Sequence, residues 1–363
     1  MAPMLRSWAL RRCALALFVL AGCSEQQSAG RDGSLTAPDA RPEDAAAGSD
    51  AGLGPEDAAA VSDAGLGPED AAPSRQDAAQ ADAGDAPDAG PNDAGLDPPG
   101  PRLPVLAPSA PIQAAPGASY VGLSIQNPNG PCIVVSASNV RIADVELGPC
   151  GGSAAIVVEG GAQQVVIEHV AIHDSPRGVL VDHAGPVDVL ASTFVDINGT
   201  APQGTAIELD YVELGARVIG NRLRGSYNSD VISTFESSLV RLEGNDLDVI
   251  ITEGSAAPFT LGDSVAPALP GHDNYAAYNL VSSVGGVPPG VFGSTGNTVL
   301  EHNCLRTGIQ LRTYPPEAPA PFDGVTVRFN KIGPGSFTPA SGLVAEWSTN
   351  VFTDGSPQSC DAL

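Results

Sequence analysis

Three carboxylates, Glu159, Asp182 and Asp210, hold the positions in this chain best suited to chemistry. Each closes a short apolar run, and aligning the runs puts the three at nearly equivalent positions. Strands stacked in that register would bring neighbouring carboxylates to about 5 Å. Such spacing raises at least one carboxyl pKa or recruits a hard cation, calcium being the one cofactor the pattern admits. It is also close to the roughly 5–5.5 Å that separates the two carboxylates of a retaining glycoside hydrolase. The competing expectation is that side chains at a solvated turn splay apart and act singly.

Other residues join this set with weaker claims. Asp174 and Asp196 form a second column beside His173, while His169 and His302 fall where the edge of a core is expected. Arg222, Arg224, Arg241, Arg306, Arg312 and Arg328 are the basic residues that could meet an anionic sugar. Tyr211, Tyr227, Phe235 and Trp347 are candidates for stacking on sugar faces, and residues 314–322 would wall a groove near Arg306 and Arg312. No phosphate-binding loop, zinc-ligand spacing, nucleophile elbow or dinucleotide fingerprint occurs, so no metal site is assigned.

The elements that must carry these residues are short. Beyond residue 105, Val, Ile and Leu come in strand-length alternating runs broken by Gly, Asn, Asp and Pro. The runs from Val140, Val165, Val187, Arg217, Val240, Asn274, Val299 and Val325 align with one another. One column of that alignment reads Val145, Val170, Ser192, Asn221, Asn245, Asn279, Asn303 and Asn330. Most steps fall in the range of roughly 22–29 residues that one solenoid coil takes. The long step between Asn245 and Asn279 predicts a loop inserted at residues 262–273. Asparagine tolerates a left-handed turn, and its amide both donates and accepts, so a stacked column can form a hydrogen-bonded ladder.

This repeat resembles the right-handed parallel β-helix repeat, and residues 117–355 resemble the pectin-lyase-like superfamily. The resemblance implies an all-β, single-stranded right-handed parallel β-helix. It implies no single activity, because that superfamily holds lyases, hydrolases, epimerases and plain binding proteins. A pectate-lyase-like site needs acidic calcium ligands beside a basic Arg or Lys, and no such cluster can be assigned residue by residue. The paired Asp-Asp and Gly-His-Gly of a polygalacturonase-like site are absent. Residues 104–118 are expected to cover the N-terminal end of the solenoid and residues 342–363 the other.

The chain ahead of this domain has a different character. Arg6, Arg11 and Arg12 precede a short apolar stretch ending in Leu20-Ala-Gly-Cys23, which resembles the lipobox of bacterial lipoproteins. The resemblance implies a signal peptide over residues 1–22 and lipid attachment at Cys23, hence a membrane anchor at the outer membrane or cell surface. Residues 23–103 are rich in Ala, Asp, Gly and Pro and repeat Pro-Glu-Asp-Ala-Ala, so they are expected to stay disordered as an acidic tether. Residues 104–363 then form the solenoid domain. Four cysteines remain in it, Cys132, Cys150, Cys304 and Cys360, which allow three pairings. Proximity favours Cys132 with Cys150, leaving Cys304 with Cys360.

A formal charge of −25 argues against nucleic acid as a partner. The expected function is a surface-tethered protein that binds, and in the alternative processes, extracellular polysaccharide. A polysaccharide lyase or glycoside hydrolase built on the carboxylate column is the first rival, and a structural protein or adhesin the second. Oligomeric state is left open by the sequence.

Overall fold

The computed structural model describes residues 99–198, 204–263, 271–292, 296–312, 324–335 and 346–360. The signal segment, Cys23 and nearly all of the acidic tether lie outside the described residues, as do most of the 262–273 insertion and the 314–322 loop.

Each aligned run becomes two parallel strands either side of a corner, and successive strands fall on three sheets in rotation. The longest sheet has 11 strands, running from Ala107–Ser109 to Val351–Phe352. The second and third have 9 each, beginning at Ile112–Gln113 and at Ser119–Val121. Every strand pairing described is parallel, for example Val187–Leu190 with Ala216–Ile219. The chain is therefore an all-β parallel solenoid, one circuit of three strands per coil.

The two-residue side-chain period of a strand decides what fills the solenoid. In the long sheet the inward positions stack Ile125, Leu147, Ile172, Phe194, Leu223, Leu247, Val281, Leu305 and Ile332, and all are buried. Each such side chain contributes about 1.5–3 kcal/mol over its exposed state. Tyr227 also points inward, and its hydroxyl donates to the Phe194 carbonyl at 2.9 Å. Burial pushes its phenol far above the usual tyrosine range.

Corners between sheets need a left-handed residue, and the same position supplies it coil after coil. Between the third and long sheets this residue is Asp144, His169, Ala191, Gly220, Gly244, Tyr278, His302 and Phe329. The residue that follows is the asparagine column. Asn221, Asn245, Asn279, Asn303 and Asn330 are all buried. Each side-chain oxygen accepts from the preceding coil and each amide donates onward, Asn279 to Asn303 and Asn303 to Asn330 at 2.9 Å. The ladder runs one step further than the sequence reading takes it, to Asn350. At the other end Ser192 takes over, accepting from the Val170 amide through its hydroxyl.

The N-terminal end differs from expectation. Residues 104–118 do not cover the solenoid; they are its first coil, Ala107–Ser109 pairing with Leu123 to Ile125 and Ile112–Gln113 with Ile133 and Val134. Prolines are tolerated there because an edge strand needs donors on one side only. Residues ahead of them strap the flank. The Gly100 amide donates to the Ala191 carbonyl, and Arg102 grips Asp144 with its backbone amide and its guanidinium. Cys132 is bonded to Cys150 and Cys304 to Cys360, with Cα separations of 5.6 and 5.7 Å.

Candidate functional site on the second sheet

The second sheet carries the three carboxylates on its outer surface because alternation sends Val158, Val181 and Leu209 into the core. Asp182 stands opposite Asp210, and Asp210 opposite Phe235, on successive strands. Glu159 follows Val158, whose partner is Val181, and so begins the same column. The column exists, but its members are not equivalent. Glu159 is exposed, Asp182 keeps 40% of its side chain in solvent, and Asp210 is 1% exposed.

The residue after each column member turns the corner in the left-handed region, as at His183, Tyr211 and Glu236. That geometry throws these side chains outward into a second, parallel column. His183 Nδ1 lies 2.6 Å from Asp182 Oδ1. Its ring stacks on Tyr211 with centroids 4.4 Å apart, and Tyr211 meets Phe235 edge-on at 5.5 Å. The Asp182-His183 dipeptide, unremarkable in sequence, is thus the centre of a carboxylate and aromatic patch. Tyr211 and Phe235, proposed as stacking residues, are brought together here.

Two residues before Asp210 on the same strand, Glu208 belongs to a pair the sequence reading missed. Arg177 and Glu208 meet at 2.5 Å with both side chains 3% exposed. Glu208 is the register partner of Leu180, which with Val157 and Ala154 makes a small apolar cluster. Beside Arg177, Gly178 leaves no room for a Cβ, which would run into the Ala206 carbonyl oxygen and the Phe194 ring. A charge pair so thoroughly desolvated needs close geometry to persist. The only signal in sequence was a second acidic residue, Glu208, at the other outward position of the strand that carries Asp210.

The remaining candidates disperse. Asp174 and Asp196 do fall in one column, one step beyond the partners His173 and Val195. His173 bridges Asp174 at 2.8 Å and Glu146 at 3.4 Å, whereas Asp196 accepts the Ser226 amide at 2.9 Å. Among the described residues no group of three or more His, Cys, Asp or Glu is arranged to hold a metal ion. Tyr227 is a core residue and has no face for a sugar, because the strand alternation of residues 222–227 turns it inward. Trp347 packs partly buried against the core. His169 is buried, and His302 is sandwiched between Tyr278 and Phe329 at 5.2 and 5.3 Å.

The arginines are met by carboxylates. On the outer face of the third sheet Arg141 pairs with Glu168, Arg217 with Asp188, Arg241 with Glu243 and Arg328 with Glu301. On the long sheet Arg222 and Arg224 share Asp246. Arg306 donates to the Pro357 carbonyl. Glu301 would be raised by its burial, but hydrogen bonds from Tyr275 and Arg328 outweigh that and hold it below the usual range.

No family model, curated protein or solved structure matches this chain. The site must therefore be interpreted from its own geometry.

Proposed function

We propose that this protein is an exported, lipid-anchored solenoid that binds extracellular polysaccharide along the outer edge of its second sheet. The observation that carries the reading is the double column of Asp182 with His183, Asp210 with Tyr211, and Phe235. It repeats rings along the solenoid axis at the strand spacing of about 4.8 Å, with the solvated Asp182 carboxylate beside them, which suits an extended polymer better than a compact ligand. The Leu20-Ala-Gly-Cys23 sequence supports a lipid anchor, and the acidic segment after it supports a tether holding the solenoid away from the membrane. The parallel β-solenoid and its asparagine ladder support kinship with the pectin-lyase-like superfamily.

The test is retention of the purified full chain on a panel of insoluble polysaccharides, with folding verified by circular dichroism. Retention on at least one polymer is the expected result, and passage through every matrix would remove the reading.

A second reading is favoured by one observation, the unequal environments of Asp182 and Asp210. Two facing carboxylates, one solvated and one buried, are how a general acid and its partner are set apart. New reducing ends without ultraviolet absorbance would mark a hydrolase, and new reducing ends together with absorbance from unsaturated products a lyase. Loss of either signal in Asp182→Asn and Asp210→Asn, with folding intact, would assign the chemistry to this pair.

A further inference from the structure

We infer that the polymer this solenoid holds is uncharged. The inference rests on the binding reading above and narrows it to a substrate class.

Recognition of a polyanion needs guanidinium or ammonium groups whose charge is available to the ligand. The third sheet has the arginines for this but spends them internally. Arg217 and Arg241 are register partners on neighbouring strands, a pair that could clamp one anionic group between them. Instead Arg217 forms two parallel bonds to Asp188, at 2.7 and 2.5 Å. Arg241 turns to Glu243 at 2.6 Å and lies over the Tyr275 ring at 5.1 Å. Arg141 is held by Glu168 in the same manner. An incoming carboxylate or sulfate would have to displace a resident carboxylate and then sit beside it, so one attraction would be exchanged for another plus a repulsion.

The second-sheet patch adds to the exclusion. Its cation, Arg177, is buried against Glu208, and His183 is held by Asp182. The whole chain carries 42 acidic residues against 17 Lys and Arg, so a polyanion is also repelled at longer range. The rings His183, Tyr211 and Phe235 stack on one another and bring no free cation to offset this repulsion. What the surface does offer is the exposed Glu159 carboxylate and the solvated part of Asp182, and a neutral polyol supplies hydroxyl donors to them at no cost in like-charge repulsion.

The experiment is retention of the full chain on a neutral β-glucan, on mannan and on polygalacturonate, each at low and at high salt. Retention on a neutral polymer that changes by less than about twofold between the two salts, with polygalacturonate passing, is the expected result. Salt-sensitive retention on polygalacturonate would overturn the inference while leaving the binding reading in place. Retention on none of the three, or on further neutral polymers, would overturn both. A gain-of-binding variant makes the test independent of the natural ligand. Asp188→Asn with Glu243→Gln unpairs two adjacent surface arginines at little cost in stability. It should acquire salt-sensitive retention on polygalacturonate, and a variant no different from the native protein would contradict the role given to these pairs.

Discussion

Asp182 and Asp210 face each other across neighbouring parallel strands, yet solvent reaches only the first. In the register Asp210 lies between Asp182 and Phe235, two residues along its strand from Glu208, the partner of buried Arg177. A single register thus yields a solvated carboxylate beside a desolvated one, and the two should respond differently to removal. Asp210→Ala is expected to cost about 2–3 kcal/mol, the range for disrupting a buried polar network. Asp182→Ala should stay within about 1 kcal/mol. Chemical denaturation of both variants, compared by midpoint, checks the contrast; equal shifts would contradict the burial difference.

The asparagine ladder makes a second graded prediction. Asn303 donates to Asn330, Ala276 and Glu301 and accepts from Asn279, all within the core. Asn303→Ala leaves several buried groups without partners and should cost about 3–5 kcal/mol. Asn350 ends the ladder and is 8% exposed, so Asn350→Ala should cost less. The order of the two thermal midpoints decides the matter, and a reversed order would mean the ladder is not the principal polar support of these coils.

The strap is where pH should act. The guanidinium of Arg102 bonded to Asp144 holds that carboxyl below its ordinary 3.8. A depressed carboxyl stabilises the folded form at every pH above its unfolded pKa. That contribution disappears as pH falls through the depressed folded value. The strap should therefore stay docked at neutral pH and loosen only in acid below the ordinary carboxylate range. The protection of the Gly100 and Arg102 amides from hydrogen exchange, relative to their intrinsic rates at each pH, should fall there, and in Arg102→Ala the amides at both positions should be unprotected at all pH values. Protection of Gly100 unchanged by the substitution would show that other contacts hold the strap.

Cys23 gives a prediction of a different kind. Replacing it by serine removes the thiol that the proposed lipid anchor requires, so on that proposal Cys23→Ser should lose incorporation of labelled fatty acid and leave the membrane fraction. Persistent labelling would place the lipid elsewhere or deny it.

Period and column were legible in the sequence because both are local. The alternation in Val165 to Glu168 and the Asn column each recur within single coils, and physical stacking only has to repeat them. The corner geometry was not legible. Nothing in the dipeptides Asp182-His183 or Asp210-Tyr211 marks the second residue as left-handed, yet that conformation is what turns His183 and Tyr211 into a stack. The N-terminal coil was misread for a related reason: residues 104–118 look like a cap in composition, and only pairing to Leu123 and Ile133 shows them to be strands. Arg177 and Glu208 lie 31 positions apart in the numbering and meet only because two coils stack. Asn350 escaped because the run before it lacks the apolar pattern of the others.

The measurement closest to the central claim compares the native full chain with His183→Ala and Tyr211→Ser on whichever insoluble neutral polysaccharide retains it best. His183 is exposed and Tyr211 half-buried, both at corners outside the core, so the fold should survive them. The account predicts strong retention of the native protein and at least about a tenfold loss in each variant, the scale of one well-placed contact. Equal retention of all three proteins would move the binding surface off the second sheet and contradict the account.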